Sequence, residues 1–137
     1  MTPNPQGEAE SRVEERDLAN QEDTPFPPVF ATARMVRLME VAAARCLEPL
    51  LGEGELSVGV AIDVEHTAAT PLGSRVRARA TFVERKGSVY WFEVSANDAG
   101  GPIGKGRHGR AIVRVDRLLA GAARRNDAAR AHESERT

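Results

Sequence analysis

The chain has 137 residues, 41% of them hydrophobic and 28% charged, with a formal net charge of -1. That length points to one domain, and the near balance of charge argues against a protein built to neutralise a phosphate backbone, so no nucleic-acid partner is expected. A lone cysteine, Cys46, excludes an internal disulfide and any paired-cysteine motif. The three histidines, His66, His108 and His132, lie far apart in the sequence, and no metal site or other cofactor is expected. No apolar run is long enough to span a membrane. Pro, Gln, Glu and Arg occupy the first residues where the apolar core of a secretory leader would sit, so a cytoplasmic protein is expected.

Residues 1–24 are rich in Glu, Asp, Gln, Asn and Pro, with Val13 and Leu18 the only large aliphatics after Met1. Such a segment reads as a flexible tail. Prolines at 25, 27 and 28 bar a helix next. A helix is predicted from about Ala31 to Leu51, with Met35, Met39, Ala42, Ala43, Cys46 and Leu50 as its apolar stripe and Gly52 as its stop. Leu56, Val58, Val60, Ile62 and Val64 then alternate, which predicts a strand with one buried face ending at His66. Further strands are predicted over 75–85, 88–96 and about 103–118, joined by turns at 70–74, 86–87 and 97–102. Residues 120–137 are rich in Ala and Arg but lack an apolar stripe, and read as a second flexible tail. The packed domain is therefore placed at 25–119. One long helix followed by antiparallel strands is an α+β pattern, best met by a sheet curled round a central helix.

Several polar residues stand out against that pattern. Glu40 interrupts the apolar run of the helix, where a boundary carboxylate would reach for water or pair with Arg37. His66 shares the strand parity of the apolar set and is suited to acid–base work near neutral pH. Thr32 stands where the Pro-rich segment becomes helix, the position of an N-cap. In one unbroken helix, Thr32 and Glu40 would be separated by about 12 Å. They would then meet only if Thr32 preceded the helix and folded back, or across a subunit interface. Gly59 interrupts the best strand and marks a bulge or a close approach. Arg110 lies among Gly106, Gly109 and Ala111, where a cation can reach an anionic group. The Gly-rich stretch from Gly100 to Gly106 lacks the ending and context of a phosphate loop.

Three blocks together resemble the fluoroacetyl-CoA thioesterase family of hot-dog proteins. They are Phe26-Pro-x-Val29-Phe30-Ala31-Thr32-x-x-Met35-Val36-x-Leu38-Met39-Glu40, Gly59-Val-Ala-Ile-x-Val64-x-His66-Thr67-Ala68-Ala69-Thr70-Pro71-x-Gly73, and Val94-Ser95-Ala96-x-Asp98 through His108-x-Arg110-Ala111. The resemblance covers about residues 26–118. It implies a hot-dog fold, a homodimer, and hydrolysis of an acyl-CoA thioester to the acid and free CoA without a metal. It also implies Thr32, Glu40 and His66 as catalytic residues, with Thr32 positioning or attacking and Glu40 either orienting His66 or attacking as a carboxylate to give an anhydride. It places Phe26, Val29, Gly59 and Arg110 at the substrate site, with Phe26 as an aromatic gate. Gln21-Glu22-Asp23-Thr24 is more polar than the fluoroacetyl-selective lid. This points to short acyl-CoAs more broadly, fluoroacetyl-CoA included. Two other readings are a non-catalytic acyl-CoA-binding hot-dog module and an enoyl-thioester hydratase or dehydratase. The helix offers Glu40 but no histidine, unlike the paired Asp/His expected of the hydratase.

Overall fold

A computed structural model describes residues 2–21 and 24–136. Its elements are β1 (Gln6–Arg12), α1 (Thr32–Leu47), β2 (Glu55–His66), β3 (Arg75–Lys86), β4 (Val89–Asp98), β5 (Gly101–Arg114) and α2 (Val115–Arg136), with 3-10 turns at Glu15–Asp17 and Glu48–Leu50. The strands form one antiparallel sheet in the order β1-β3-β4-β5-β2, curled round α1. No helix among the described residues is long and apolar enough to cross a membrane.

Five of the six residues of the expected α1 stripe, Met35, Met39, Ala42, Ala43 and Cys46, are buried against the sheet; Leu47 is buried with them, whereas Leu50 falls in the 3-10 turn and is only partly buried. Facing them are Ala9, Val76, Ala78, Ala80, Phe92, Val94 and Ala96. Most of these are small, so the sheet closes tightly on the helix and sparse aromatics suffice for the core. The α-helix stops at Leu47 rather than Leu51. Pro49 cannot donate to the carbonyl one turn back, and the chain tightens into the 3-10 turn instead. Cys46 points its thiol between the carbonyls of Ala42 and Ala80, and burial pushes its pKa up to about 11. It is a packing residue, not a nucleophile.

The reading of residues 1–24 as a flexible tail is corrected by the structure. β1 pairs along its length with β3, Gly7 opposite Ala80 and Ala9 opposite Ala78. Val13 and Leu18 are buried, and burial of a Val or Leu contributes roughly 1.5–3 kcal/mol. Backbone bonds then carry the chain across the start of α1: Ala19 N–H donates to the Val29 carbonyl and Ala31 N–H to that of Asp17, both at 2.8 Å. Glu22 and Asp23, the centre of the polar lid stretch, lie outside the described residues.

The C-terminal expectation changes too. β5 ends at Arg114, and residues 115–136 form a helix, as Ala and Arg favour. Its Leu118 and Leu119 stay exposed, so no apolar stripe packs it down.

β2 departs most from the predicted pattern. One residue, Val60, is extra in its pairing with β5, where Gly59 lies opposite Arg110 and Ala61 opposite Gly109. A bulge shifts side-chain parity by one. Leu56 and Val58 therefore lie opposite Val113 and Ala111 on one face of the sheet, whereas Ile62, Val64 and His66 lie opposite His108, Gly106 and Gly104 on the helix-facing side. The five aliphatics do not share a buried face: Leu56, Val60 and Ile62 are all exposed in this edge strand.

Candidate active site

Thr32 is the first residue of α1 and does not cap it; the N-cap is Ala31, with no side-chain capping bond. The Thr32 hydroxyl instead lies 2.8 Å from His66 Nδ1. The loop that follows His66 is anchored on both sides. Thr67 N–H donates to the Ile103 carbonyl at 2.7 Å, and the buried Thr70 donates from its hydroxyl to Asp98 Oδ2 at 2.7 Å. Phe30 N–H in turn donates to the Thr70 carbonyl, which ties this loop to the segment leading into α1. The Thr32–His66 pair is thus built by two elements locked to each other. Its other ring nitrogen, His66 Nε2, is buried and has no partner among the described residues. The pair lies on the wall of a cavity of about 990 Å³ that is also lined by Phe26, Val29, Arg34 and Arg37.

Glu40 belongs to a second cluster. Its Oε2 accepts from Arg110 Nη1 at 3.2 Å, not from Arg37. Arg110 is almost fully buried and does not project as a free strand cation. Its Nε donates to Ser57 Oγ at 3.0 Å and its Nη2 to the Ser57 carbonyl at 2.8 Å. His108 completes the cluster, with Nε2 3.1 Å from Arg110 Nη1 and Nδ1 2.8 Å from the Ala61 carbonyl oxygen. Burial lowers the pKa of Arg110, against the pull of Glu40, and also lowers that of His108. Gly59 faces this cluster: a Cβ there would lie 2.5 Å from Glu40 Oε2 and 3.2 Å from His108 Cε1. The room left by the glycine is taken up by the carboxylate.

The structure therefore brings Thr32 to His66, and Glu40 to Gly59 and Arg110, but keeps the two groups on separate stretches of α1. Thr32 opens an unbroken helix, so the fold-back alternative is removed and about 12 Å of helix separates it from Glu40. The bulge at Val60 is what puts Gly59 and His66 on the same face despite their odd spacing. Sequence reasoning passed over Ser57 and His108 as site residues. His108 gives no signal of its own, standing between Arg107 and Gly109 in a Gly-rich strand.

Gly59→Ala is expected to leave the fold intact, because the first atom it meets is the end of a flexible side chain. It would displace the Glu40 carboxylate and lower turnover by about 100-fold, the scale of a misplacement near 1 Å. Steady-state rates beside a thermal melt check this; an unchanged rate would show that the carboxylate's position is immaterial.

A five-stranded antiparallel sheet curled round one long helix is the hot-dog fold, and the similar solved structures make this chain a thioesterase of that fold. The chain belongs to the fluoroacetyl-CoA-specific thioesterase family, FlK, whose profile matches residues 13–116. It is 45% identical over 95 residues to the fluoroacetyl-CoA thioesterase of Streptantibioticus cattleyicolor, covering 69% of this chain and 68% of that protein. It superposes on a solved structure of the fluoroacetyl-CoA thioesterase FlK with a TM-score of 0.83, covering 90% of this chain and 96% of that one; identity over this longer overlap is 35%. A thioesterase-superfamily protein from Thermus thermophilus matches with a TM-score of 0.85 at 30% identity, over 96% of this chain and 99% of the other.

Proposed function

We propose that this chain hydrolyses short acyl-CoA thioesters, fluoroacetyl-CoA among them, to the free acid and CoA, working as a homodimer in the cytoplasm. The observation that carries this reading is the 2.8 Å contact between Thr32 Oγ1 and His66 Nδ1 on the cavity wall. In the proposed route His66 takes the hydroxyl proton as Thr32 attacks the thioester carbonyl. His66 then returns the proton to the departing CoA sulfur, and water hydrolyses the acyl ester. CoA enters as part of the substrate, and the route draws on no separate cofactor.

If Nδ1 accepts from Thr32, Nε2 must carry the other ring proton, and it needs an acceptor. The Glu40 carboxylate suits that need, since Arg110 takes only its Oε2 and its side chain is 39% exposed. Within one chain it is held too far along α1. A second copy of the chain is the other source of such an acceptor. Antiparallel pairing of two β2 edges in the register that sets Gly59 opposite His66 would bring the Glu40 of one copy to the His66 end of the other. The exposed Leu56, Val60 and Ile62 on that edge support such an interface. We therefore assign Glu40 to the Thr32–His66 pair of a second copy.

Gln21 and Thr24 line the cavity beside Phe26, and this polar wall supports acceptance of acetyl-CoA as well as fluoroacetyl-CoA. Thiol release from an acyl-CoA panel, read with DTNB, tests the assignment. Release is expected from both of these substrates, whereas none from any member would leave an acyl-CoA-binding module in its place.

A further inference from the structure

We infer that His108 is a positioning residue for this reaction: held as the neutral Nδ1–H tautomer, it fixes the Arg110 guanidinium that in turn holds Glu40. The inference rests on the proposed role of Glu40. Its own support is geometric. The Ala61 carbonyl can only accept, so the 2.8 Å contact requires a proton on His108 Nδ1. In the neutral ring Nε2 is then a bare lone pair. Arg110 Nη1 can only donate, and it lies 3.1 Å from that lone pair and 3.2 Å from Glu40 Oε2. One nitrogen therefore bridges a buried acceptor and a half-exposed carboxylate.

Ser57 already holds the guanidinium at Nε and Nη2; His108 supplies the buried acceptor at Nη1, the nitrogen that faces Glu40. A single ion pair to a partly exposed carboxylate is worth little, and Nη1 bonded to Glu40 alone would leave that contact loosely aimed. A buried hydrogen-bonded ring behind the donor fixes that aim, as the outer partners of reactive groups commonly do. His108 is 1% exposed, so water does not compete for its lone pair. A cationic His108 would present a second N–H to Arg110 and could no longer accept. Burial, and the charge of Arg110 itself, favour the neutral ring, while the Ala61 carbonyl and Glu40 act the other way. His108 and Arg110 also grip β2 on both sides of its bulge, at Ala61 and at Ser57. The cluster thereby sets Glu40 relative to the strand that ends at His66.

Two substitutions separate positioning from packing. His108→Gln keeps an acceptor toward Arg110. His108→Asn keeps a donor toward Ala61 and leaves Arg110 without its acceptor. With equal thermal midpoints, the Gln variant is expected to keep a kcat close to wild type, and the Asn variant to lose about 100-fold in kcat with KM unchanged. A wild-type kcat in the Asn variant, or equal losses in both, would overturn the inference. Glu40→Gln is run beside them. A normal kcat there overturns the role of Glu40 itself, whereas its loss beside a normal Asn variant overturns only the role of His108. Should either His108 variant fail to fold, nitrogen-15 shifts of the imidazole in the wild-type protein at pH 7 decide: the Nδ1–H tautomer is expected, and the Nε2–H tautomer or a cation overturns the inference.

Discussion

Mixing two inactive variants, Glu40→Gln and His66→Ala, is expected to restore thioester hydrolysis. Each variant alone should lose about 10²–10⁴-fold in turnover, the usual worth of a positioned acid–base group. If Glu40 serves the Thr32–His66 pair of the other subunit, a mixed dimer concentrates both defects in one site and leaves its second site intact. Random reassortment from equal amounts makes about half of the dimers mixed, so activity should recover to about a quarter of wild type. A site built from one chain predicts no recovery, because every site then keeps one defect. The structure supports the first outcome on three counts. Thr32 begins an unbroken helix, Glu40 is held beside Gly59 by Arg110, and the β2 edge that could join two copies is open and apolar. Failure to recover activity after reassortment, confirmed by native mass spectrometry, would return Glu40 to its own subunit.

Gly7→Ala is expected to cost about 2–3 kcal/mol, the upper part of the range for overpacking. The added methyl would collide with the Ala42 carbonyl oxygen and press on Cys46 Sγ at 3.0 Å. The first of these is helix backbone in the middle of α1 and cannot move aside. β1 would have to lift from the helix, taking with it the pairing to β3 and the Asn4 N–H bond to the Cys46 carbonyl. A fall in Tm of roughly 8–15 °C is the measurable consequence. Gly121→Ala, on the exposed C-terminal helix and 3.9 Å from its nearest neighbour, serves as the contrast and should be neutral or stabilising. Equal melting behaviour of the two variants would mean that β1 does not depend on this close approach.

β1 also shows why part of the fold was not legible in the sequence. β2 announces itself by five alternating aliphatics, and β3 by Val76, Ala78, Ala80 and Phe82 alternating with arginines and Thr81. β1 presents only Gly7 and Ala9 to the helix, and both bury too little area to make a pattern. Its hold comes from pairing to β3 and from cross-strand ion pairs, Glu8 with Arg79 at 2.8 Å and Glu10 with Arg75 at 3.2 Å. Neither can be seen before the partner strand is known. Those pairs also engage Arg75 and Arg79 with the protein's own carboxylates; the hydrogen bond from Arg75 leads in pulling the Glu10 pKa down. At the site, Thr32, Glu40 and His66 stood out because each is a polar residue in an apolar or structured setting. His108 did not, since one histidine in a Gly-rich strand has no pattern until the chain folds Arg110 and Ala61 against it.

The extra residue at Val60 bears on how this protein can vary. Seven positions separate Gly59 from His66, an odd number, and in a regular strand they would point to opposite sides. The site is thus encoded in strand length as well as in residue identity. Loss or gain of a single residue between 59 and 66 would turn one half of the candidate site to solvent while leaving every residue type proposed for it in place. Among relatives, an indel of odd length in this segment would therefore mark a protein that has kept the vocabulary of the site and lost its grammar, and aligned identity alone would not reveal it.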